Sequence, residues 1–246
     1  MLIASTNNNT IKTLRSLYKD KKTRHELGVF VCEGYYICRD IPSFIEIEEC
    51  FVKKLDIDKQ EFFTNKFGKE IFVVEDKIFD SVADTKTPSG VICTIKKPEF
   101  KGLTNDRVAV LCSITDSGNL GTIIRTATSC GIDDIICIDC ADVYSPKVVR
   151  ATMGGIFYAN IVECGIDAGI KLLQDYQVVG LDMHGISIYS YKKSGKTAIA
   201  VGSEAHGLPE EIVDRCDQIV SLPMRNDRVE SLNAAISMGI AMYLIK

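Results

Sequence analysis

The sequence predicts an α/β protein whose C-terminal part is built on a parallel sheet. From residue 108 onward, short and almost continuously apolar segments alternate with segments of helical periodicity. Apolar strands of this kind are typical of a parallel sheet that helices cover on both faces. Three of the strands run directly into polar loops, and ligands of such sheets bind in the loops at the carboxyl ends of the strands. The sequence therefore predicts a ligand site in this part of the chain.

The N-terminal part predicts a smaller α/β domain. Apolar residues from Ile11 to Tyr18 have helical spacing. Short strands are predicted at residues 29–32, 51–52, 71–74 and 91–95. A polar stretch with Pro98 and Gly102 follows these strands. The predicted organisation is a first domain over 1–97, a linker over 98–106 and a second domain over 107–246.

Elements of the second domain alternate regularly. Strands are predicted at residues 108–112, 135–138, 178–181, 198–201 and 218–222. Helices are predicted near residues 122–130, 169–176, 210–216 and 231–244. This order favours a single sheet in which each strand is followed by a crossover helix.

Charge is unevenly distributed along the chain. The net charge of −4 does not by itself indicate a nucleic-acid-binding protein. Six basic residues nevertheless lie between Lys12 and Arg24, and only Asp20 opposes them. A basic segment on an acidic protein fits contact with phosphates, and it fits a solvated helix face equally well.

Composition and cysteine spacing favour an intracellular protein without a membrane span or a metal site. No apolar run approaches the roughly 18 residues that a membrane helix needs, and the first residues do not resemble a signal peptide. A cytoplasmic location is therefore expected. The single Cys-x-x-Cys, from Cys137 to Cys140, ends an apolar run and lacks a second pair, which favours core cysteines over a zinc or redox site.

The first polar loop covers residues 116–121 and is neither a G-x-G-x-x-G nor a P-loop sequence. Its glycines allow a tight turn and the close approach of a ligand. Arg125 is predicted on the first turn of the following helix, where a cation opposes the helix dipole. A polar or anionic ligand explains a cation at this position better than a contribution to the stability of the helix does. The alternative is an ordinary connection between strand and helix.

The second loop covers residues 202–209. Gly202, at the end of a strand, removes a side chain that would block a ligand. Glu204 has no obvious local partner. His206 could act as a base, although a surface histidine is the favoured interpretation.

The third loop begins at Leu222 and leads into the last helix. Ser231 is predicted to be the N-cap of that helix, and Asn233 to lie in its first turn. Small residues there would allow close packing against another helix, including one of a second subunit. The apolar face of the helix consists of Leu232, Ala235, Ile236, Gly239, Ile240, Tyr243 and Leu244.

In their order and spacing, the three loops resemble the motifs of the SpoU (TrmH-like) branch of the SPOUT RNA methyltransferases. The matching segments are residues 116–127, residues 202–208, and residues 222–224 with 229–233. The N-terminal part resembles the substrate-binding domain of rRNA-modifying members, which is similar to a ribosomal RNA-binding protein fold. Its matching segments are residues 5–12, Arg24, residues 30–34 and residues 87–91.

The resemblance implies an enzyme that methylates a ribose 2′-hydroxyl of RNA, with S-adenosylmethionine as the methyl donor. It also implies a trefoil knot in the C-terminal domain and a homodimer formed through that domain. The N-terminal domain favours ribosomal RNA. The alternatives are a tRNA 2′-O-methyltransferase, a non-catalytic RNA-binding member of the fold, and an enzyme that acts on a base nitrogen.

Residue by residue, the resemblance assigns eight positions. The active-site positions are Asn119, Arg125, Glu204, Ser231 and Asn233. The positions whose backbone lines the cofactor pocket are Gly202, Leu222 and Leu232. The chain departs from the family pattern at Ser117, where proline is frequent, and at Glu230, where aspartate or serine is common.

Arg125 is the residue that the resemblance offers for activating the hydroxyl. A guanidinium is a poor general base, so we expect Arg125 to hold the hydroxyl and the adjacent phosphate and to stabilise developing negative charge. The resemblance leaves open whether Arg125 also accepts the proton. Asn119, Ser231 and Asn233 are expected to orient Arg125 and the ribose. Glu204 is expected to order its loop or to approach the substrate.

Overall fold

The computed structural model describes residues 1–225 and 231–246. By their contacts these residues form two compact units, Met1–Pro98 with Tyr144–Phe157 and Glu99–Val143 with Tyr158–Lys246. None of the helices in the described part of the chain is long and apolar enough to cross a membrane.

Five strands and five helices lie before residue 99. In chain order these are β1 (Leu2–Ile3), α1 (Asn9–Lys19), α2 (Lys21–Leu27), β2 (Val29–Glu33), α3 (Tyr35–Arg39), β3 (Ile47–Lys53), α4 (Asp58–Phe67), β4 (Phe72–Val74), α5 (Asp76–Val82) and β5 (Val91–Lys96).

The rest of the chain adds six strands and five helices among the described residues. They are β6 (Arg107–Cys112), α6 (Ser117–Ser129), β7 (Asp134–Ile138), α7 (Pro146–Ala151), β8 (Asn160–Cys164), α8 (Ile166–Leu172), β9 (Gln177–Ser187), β10 (Thr197–Val201), α9 (Glu210–Arg215), β11 (Gln218–Ser221) and α10 (Ala234–Leu244).

The first unit contains a mixed five-stranded sheet in the order β1-β4-β3-β5-β2. β5 runs antiparallel to both of its neighbours, while β4 runs parallel to β1 and β3. Helix α1 buries Ile11, Leu14 and Leu17 in the core of this unit, as its apolar spacing predicts. The four predicted strands are confirmed, whereas β1 and helices α2 to α5 were not predicted.

Helix α7 belongs to the first unit because its segment packs there. The ring of Tyr144 lies 5.1 Å from that of Phe30. Arg150 forms an ion pair of 2.6 Å with Asp84. No signal in the sequence assigned 144–157 to the first unit, and the boundaries at 97 and 107 stay a prediction.

The second unit contains the predicted parallel sheet. Its six strands lie in the order β11-β9-β10-β6-β7-β8, and all of them run parallel. Strand β8 was not predicted, because only Ile161 of its five residues is buried and Asn160 and Glu163 interrupt the apolar run. Cys137 is buried in β7 as predicted, and all ten cysteines are free thiols.

The sheet order brings the first two polar loops together. β6 and β10 are neighbours, so the loops that follow them open side by side at the carboxyl edge of the sheet. β9 and β11 lie next along the sheet on the β10 side. This edge is where a parallel sheet places its ligands.

Candidate functional site

The first loop is shorter than its sequence suggests, because α6 begins at Ser117. Asp116 is the N-cap, and its carboxylate accepts a hydrogen bond of 2.7 Å from the backbone N–H of Asn119. Ser117 is the first helical residue, a position that tolerates proline and serine alike.

The early start of α6 corrects the prediction for Arg125. This residue lies in the middle of the helix rather than on its first turn, so the helix-dipole reasoning was wrong. The sequence misled because Gly118 and Gly121 suggested a loop, whereas the Asp116 cap allows the helix to include both glycines.

A hydrogen-bond network joins three of the predicted active-site residues. The Nδ2 of Asn233 donates to Oε1 of Glu204 at 2.6 Å and to Oδ1 of Asn119 at 2.9 Å. The Nδ2 of Asn119 donates to the same Glu204 oxygen at 3.2 Å. The first loop, the second loop and the start of α10 are thus held together, although 114 residues separate Asn119 from Asn233.

Glu204 is the centre of this network. Its Oε1 also accepts the backbone N–H of Ala234 at 3.2 Å, which is one of the N–H groups left without a helical partner at the start of α10. A carboxylate at this end of the helix is stabilised by the helix dipole. Glu204 therefore joins the second loop to the last helix.

The last helix is capped two residues later than predicted, by Asn233. The side-chain oxygen of Asn233 accepts the backbone N–H groups of Ala235 and Ile236 at 3.0 and 3.2 Å. The prediction of Ser231 as the cap was wrong, because the amide of Asn233 both caps the helix and contacts Glu204. The match to the family at Val229 and Glu230 lies outside the described residues.

The second loop turns back tightly on itself. The backbone N–H of Gly207 donates to the carbonyl of Ser203 at 2.8 Å. A Cβ on Gly202 would lie 1.9 Å from the carbonyl oxygen of Gly207. Only glycine fits at position 202, and Gly207 itself has a φ of 68°.

A pocket of about 290 Å³ opens beside this loop. The three predicted cofactor residues, Gly202, Leu222 and Leu232, all line it. Glu204 and Ser231 line it as well. Five of the eight predicted site residues therefore border one pocket of ordinary ligand-binding size.

Asn119, Asn233 and Arg125 do not line this pocket. Asn119 and Asn233 are connected to it through Glu204. Arg125 is exposed, and its guanidinium has no hydrogen bond or ion pair to any residue in 1–225 or 231–246. The expected contacts from Asn119, Ser231 and Asn233 to Arg125 are thus absent among these residues.

Sequence reasoning missed three residues of the pocket wall. Leu181, Asp182 and Met183 follow the part of β9 that pairs with β10. Asp182 accepts the backbone N–H of His184 through Oδ1 at 2.8 Å. Asp182 directly follows the apolar run 178–181 that was predicted as a strand, so the rule that located the other loops could have found it.

No group of three or more His, Cys, Asp or Glu side chains is arranged to hold a metal ion in the described part of the chain. His206 lines the pocket and is exposed. The wall combines apolar side chains with a few polar ones, which suits an organic ligand of mixed polarity.

Comparison with known proteins gives matches over both parts of the chain. Residues 106–243 match the model of the SpoU rRNA Methylase family. Residues 8–93 match the MRM3-like substrate binding domain.

Individual proteins match over the full length. A 23S rRNA (guanosine(2553)-2′-O)-methyltransferase of Bacillus subtilis is 26% identical over 99% of this chain and 98% of its own. The crystal structure of an AdoMet-bound rRNA methyltransferase from Sinorhizobium meliloti is 26% identical, with a TM-score of 0.87 over 99% of this chain and 96% of that one.

A third match is partial. This match is to a structure that concerns the 2-OH methylation of C/U34 on tRNA, which is 27% identical with a TM-score of 0.51. The matched region includes 91% of that chain but only 56% of this one. The family model covers more than half of the chain, and the fold has the parallel sheet of its solved relatives. The chain belongs to the SpoU rRNA methylase family.

Proposed function

We propose that this protein transfers a methyl group from S-adenosylmethionine to a ribose 2′-hydroxyl of ribosomal RNA. The observation that supports this most directly is the pocket at the carboxyl edge of the parallel sheet, joined through Glu204 to Asn119 and Asn233. Membership of the SpoU rRNA methylase family supplies the reaction class.

The pocket residues fit S-adenosylmethionine. Leu222 and Leu232 offer apolar surface to an adenine ring, and Gly202 lets the ligand approach the backbone. Asp182 and Ser231 place polar groups on the same wall for the ribose or amino-acid part. When bound, S-adenosylmethionine supplies an electrophilic methyl group on its sulfonium.

The chain's own residues have two tasks in this proposal. Glu204, Asn119 and Asn233 fix the second loop against the N-terminus of α10, and this fixes the pocket wall. Arg125 binds the ribose hydroxyl and the neighbouring phosphate and stabilises the negative charge that develops on the oxygen. Its guanidinium is available because no described residue engages it.

Ribosomal RNA is the proposed substrate because an rRNA-modifying relative aligns with both domains of the chain, whereas a tRNA-related structure aligns with little more than one of them. The B. subtilis relative, which is named for 23S rRNA, aligns with nearly the whole chain. The tRNA-related structure aligns with little more than half. The N-terminal residues 8–93, which match a substrate binding domain, would then bind the rRNA.

Methyl transfer can be measured with radiolabelled S-adenosylmethionine and ribosomal RNA that lacks modifications. Nuclease digestion and mass spectrometry then identify the product nucleoside. We expect one nucleoside methylated on its ribose. Label on a base nitrogen would contradict the ribose assignment, and label on tRNA alone would contradict the substrate. Absence of S-adenosylmethionine binding in calorimetry would indicate a non-catalytic RNA-binding member.

We further propose a homodimer, a trefoil knot and a cytoplasmic location, as the family resemblance implies. A dimer is supported by α10, which leaves Ile236, Ile240, Tyr243 and Leu244 exposed although they are apolar. The knot is supported by the path of the chain after β11. Strand β11 pairs with β9, and the chain then comes back so that α10 packs against α6 and β10.

A further inference from the structure

The basic segment of the first unit is the feature that the proposed site does not use. Lys12, Arg15 and Lys19 lie on α1 at intervals of three and four residues, so they follow one face of the helix. The opposite face carries Ile11, Leu14 and Leu17, which are buried. We call the three cations the α1 stripe.

In the described part of the chain, no carboxylate forms an ion pair with the α1 stripe. Among residues 1–225 and 231–246, Lys12 and Lys19 have no side-chain hydrogen bond or ion pair. Arg15 donates only to the hydroxyl of Ser81, at 2.9 Å. Lys77, one turn before Ser81 on α5, is also exposed.

The nearby carboxylates are already engaged. Asp20 accepts the backbone N–H groups of Lys22 and Thr23 as the N-cap of α2. Glu26 lies 3.7 Å from Lys22. Neither of these carboxylates forms an ion pair with the α1 stripe.

Three lysines elsewhere in the same unit are paired with acids. Lys53 contacts Asp80 at 2.7 Å, and Lys54 contacts Glu75 at 2.7 Å. Lys96 forms an ion pair with Glu46. A positive charge that is neutralised by a carboxylate attracts a polyanion only weakly, so these three lysines contribute less to a positive surface than the cations of the α1 stripe do.

We infer that the α1 stripe binds consecutive phosphates of the substrate RNA. The three cations are spaced by about 4.5 and 6 Å along the helix axis at 1.5 Å per residue, which is close to the separation of neighbouring phosphates on one strand. Contacts of this kind position an RNA and carry no sequence information. The inference rests on the proposed function, because it assumes an RNA substrate.

The test uses a variant of the full chain with Lys12→Gln, Arg15→Gln and Lys19→Gln. Its affinity for a transcript of 23S rRNA is measured between about 50 and 200 mM KCl. Each lost phosphate contact removes about 0.7 to 0.9 from the slope of log K against log salt. We expect the slope to fall by about 2 to 3, while S-adenosylmethionine binding and the melting temperature stay unchanged.

A matched variant with Lys53→Gln, Lys54→Gln and Lys96→Gln removes the same charge from paired positions of the same unit. We expect its slope to change by less than about 1. Equal slopes for wild type and stripe variant, or equal losses in the two variants, would overturn the inference. If the wild-type protein binds the transcript with a steep slope but never methylates it, the proposed function fails and the stripe does not.

Discussion

At the residue scale, Glu204 determines how the site is held. The sequence places no partner near it, yet one of its carboxylate oxygens accepts three hydrogen bonds in the folded chain. Two of the donors are side-chain amides from separate elements, and the third is a backbone N–H at the start of a helix. Because its carboxylate joins the second loop to donors on α6 and at the start of α10, Glu204 acts as a positioning residue.

Glu204→Ala should destabilise the protein by about 1 to 3 kcal/mol, because three donors lose their acceptor. We expect the value to lie at the lower end, since Glu204 is exposed and water replaces part of the contact. Urea unfolding measures the change. Glu99→Ala, at an exposed position without a side-chain hydrogen bond or ion pair to a described residue, is the control. Equal stability of the two variants would show that the network is not structural.

Arg125→Ala should lower kcat by about 10² to 10³-fold, the usual cost of removing one group that stabilises a developing oxyanion. Its melting temperature and its affinity for S-adenosylmethionine should match the wild type, because the guanidinium has no partner in the described part of the chain. Arg125→Lys keeps the charge without the planar fork and should recover only part of the rate. Near-normal methylation by Arg125→Ala would refute the assignment.

At the element scale, the site depends on where two helices begin. Asp116 starts α6 and Asn233 starts α10, and the side chain of each caps its helix. These caps place Asn119 and Asn233 at the starts of two helices that pack together. The two helices approach closely at Gly239, where an added Cβ would lie 3.5 Å from the methyl carbon of Thr126. The loops are therefore fixed by the helices that follow them.

Gly202→Ala should weaken S-adenosylmethionine binding by about 10 to 100-fold. The added methyl would overlap the backbone of Gly207, so the second loop must open at a cost of about 1 to 3 kcal/mol. Calorimetry measures the affinity directly. Gly165→Ala is the matched control, because a Cβ there meets no atom within 4 Å. Wild-type affinity in Gly202→Ala would mean that this wall does not shape the cofactor site.

At the scale of the whole molecule, α10 is apolar on both faces. Ala234, Ala235, Met238, Ala241 and Met242 are buried within the second unit. The face named from sequence is largely the exposed one, with Ile236 53% and Tyr243 54% accessible. A helix that is apolar all round is normally buried on all sides, so a second copy of the chain is the expected cover.

Ile240→Asp should convert a dimer to a monomer of 27.2 kDa, because it places a charge in the centre of the exposed apolar face. Light scattering after size-exclusion chromatography gives the mass. Leu55→Asp is the control, as Leu55 is 78% exposed in the first unit and not on α10. A monomeric wild-type protein, or a dimer that survives Ile240→Asp, would contradict this interface.

Most of the sheets and the pocket-lining residues could be predicted from the sequence. β6, β7 and β10 are continuous apolar runs, and such runs report burial on both faces without any tertiary information. Elements whose apolar signal is short or interrupted, such as β1, β8 and α7, were missed. The start of α6 was predicted near residue 122 and lies at Ser117, and the cap of α10 was predicted at Ser231 and is Asn233. Both were misplaced because a cap depends on which side chain reaches the backbone N–H groups.

The sequence by itself determined the α/β class, the parallel sheet and the three loops in which the candidate site lies. Only the tertiary structure decided that Asn119, Glu204 and Asn233 form one network, that Asp182 lines the pocket, and that Arg125 stands apart from them. Local patterns encode burial and backbone preference over a few residues. Hydrogen bonds across 29 to 114 residues depend on strand order, which brings β6 and β10 side by side.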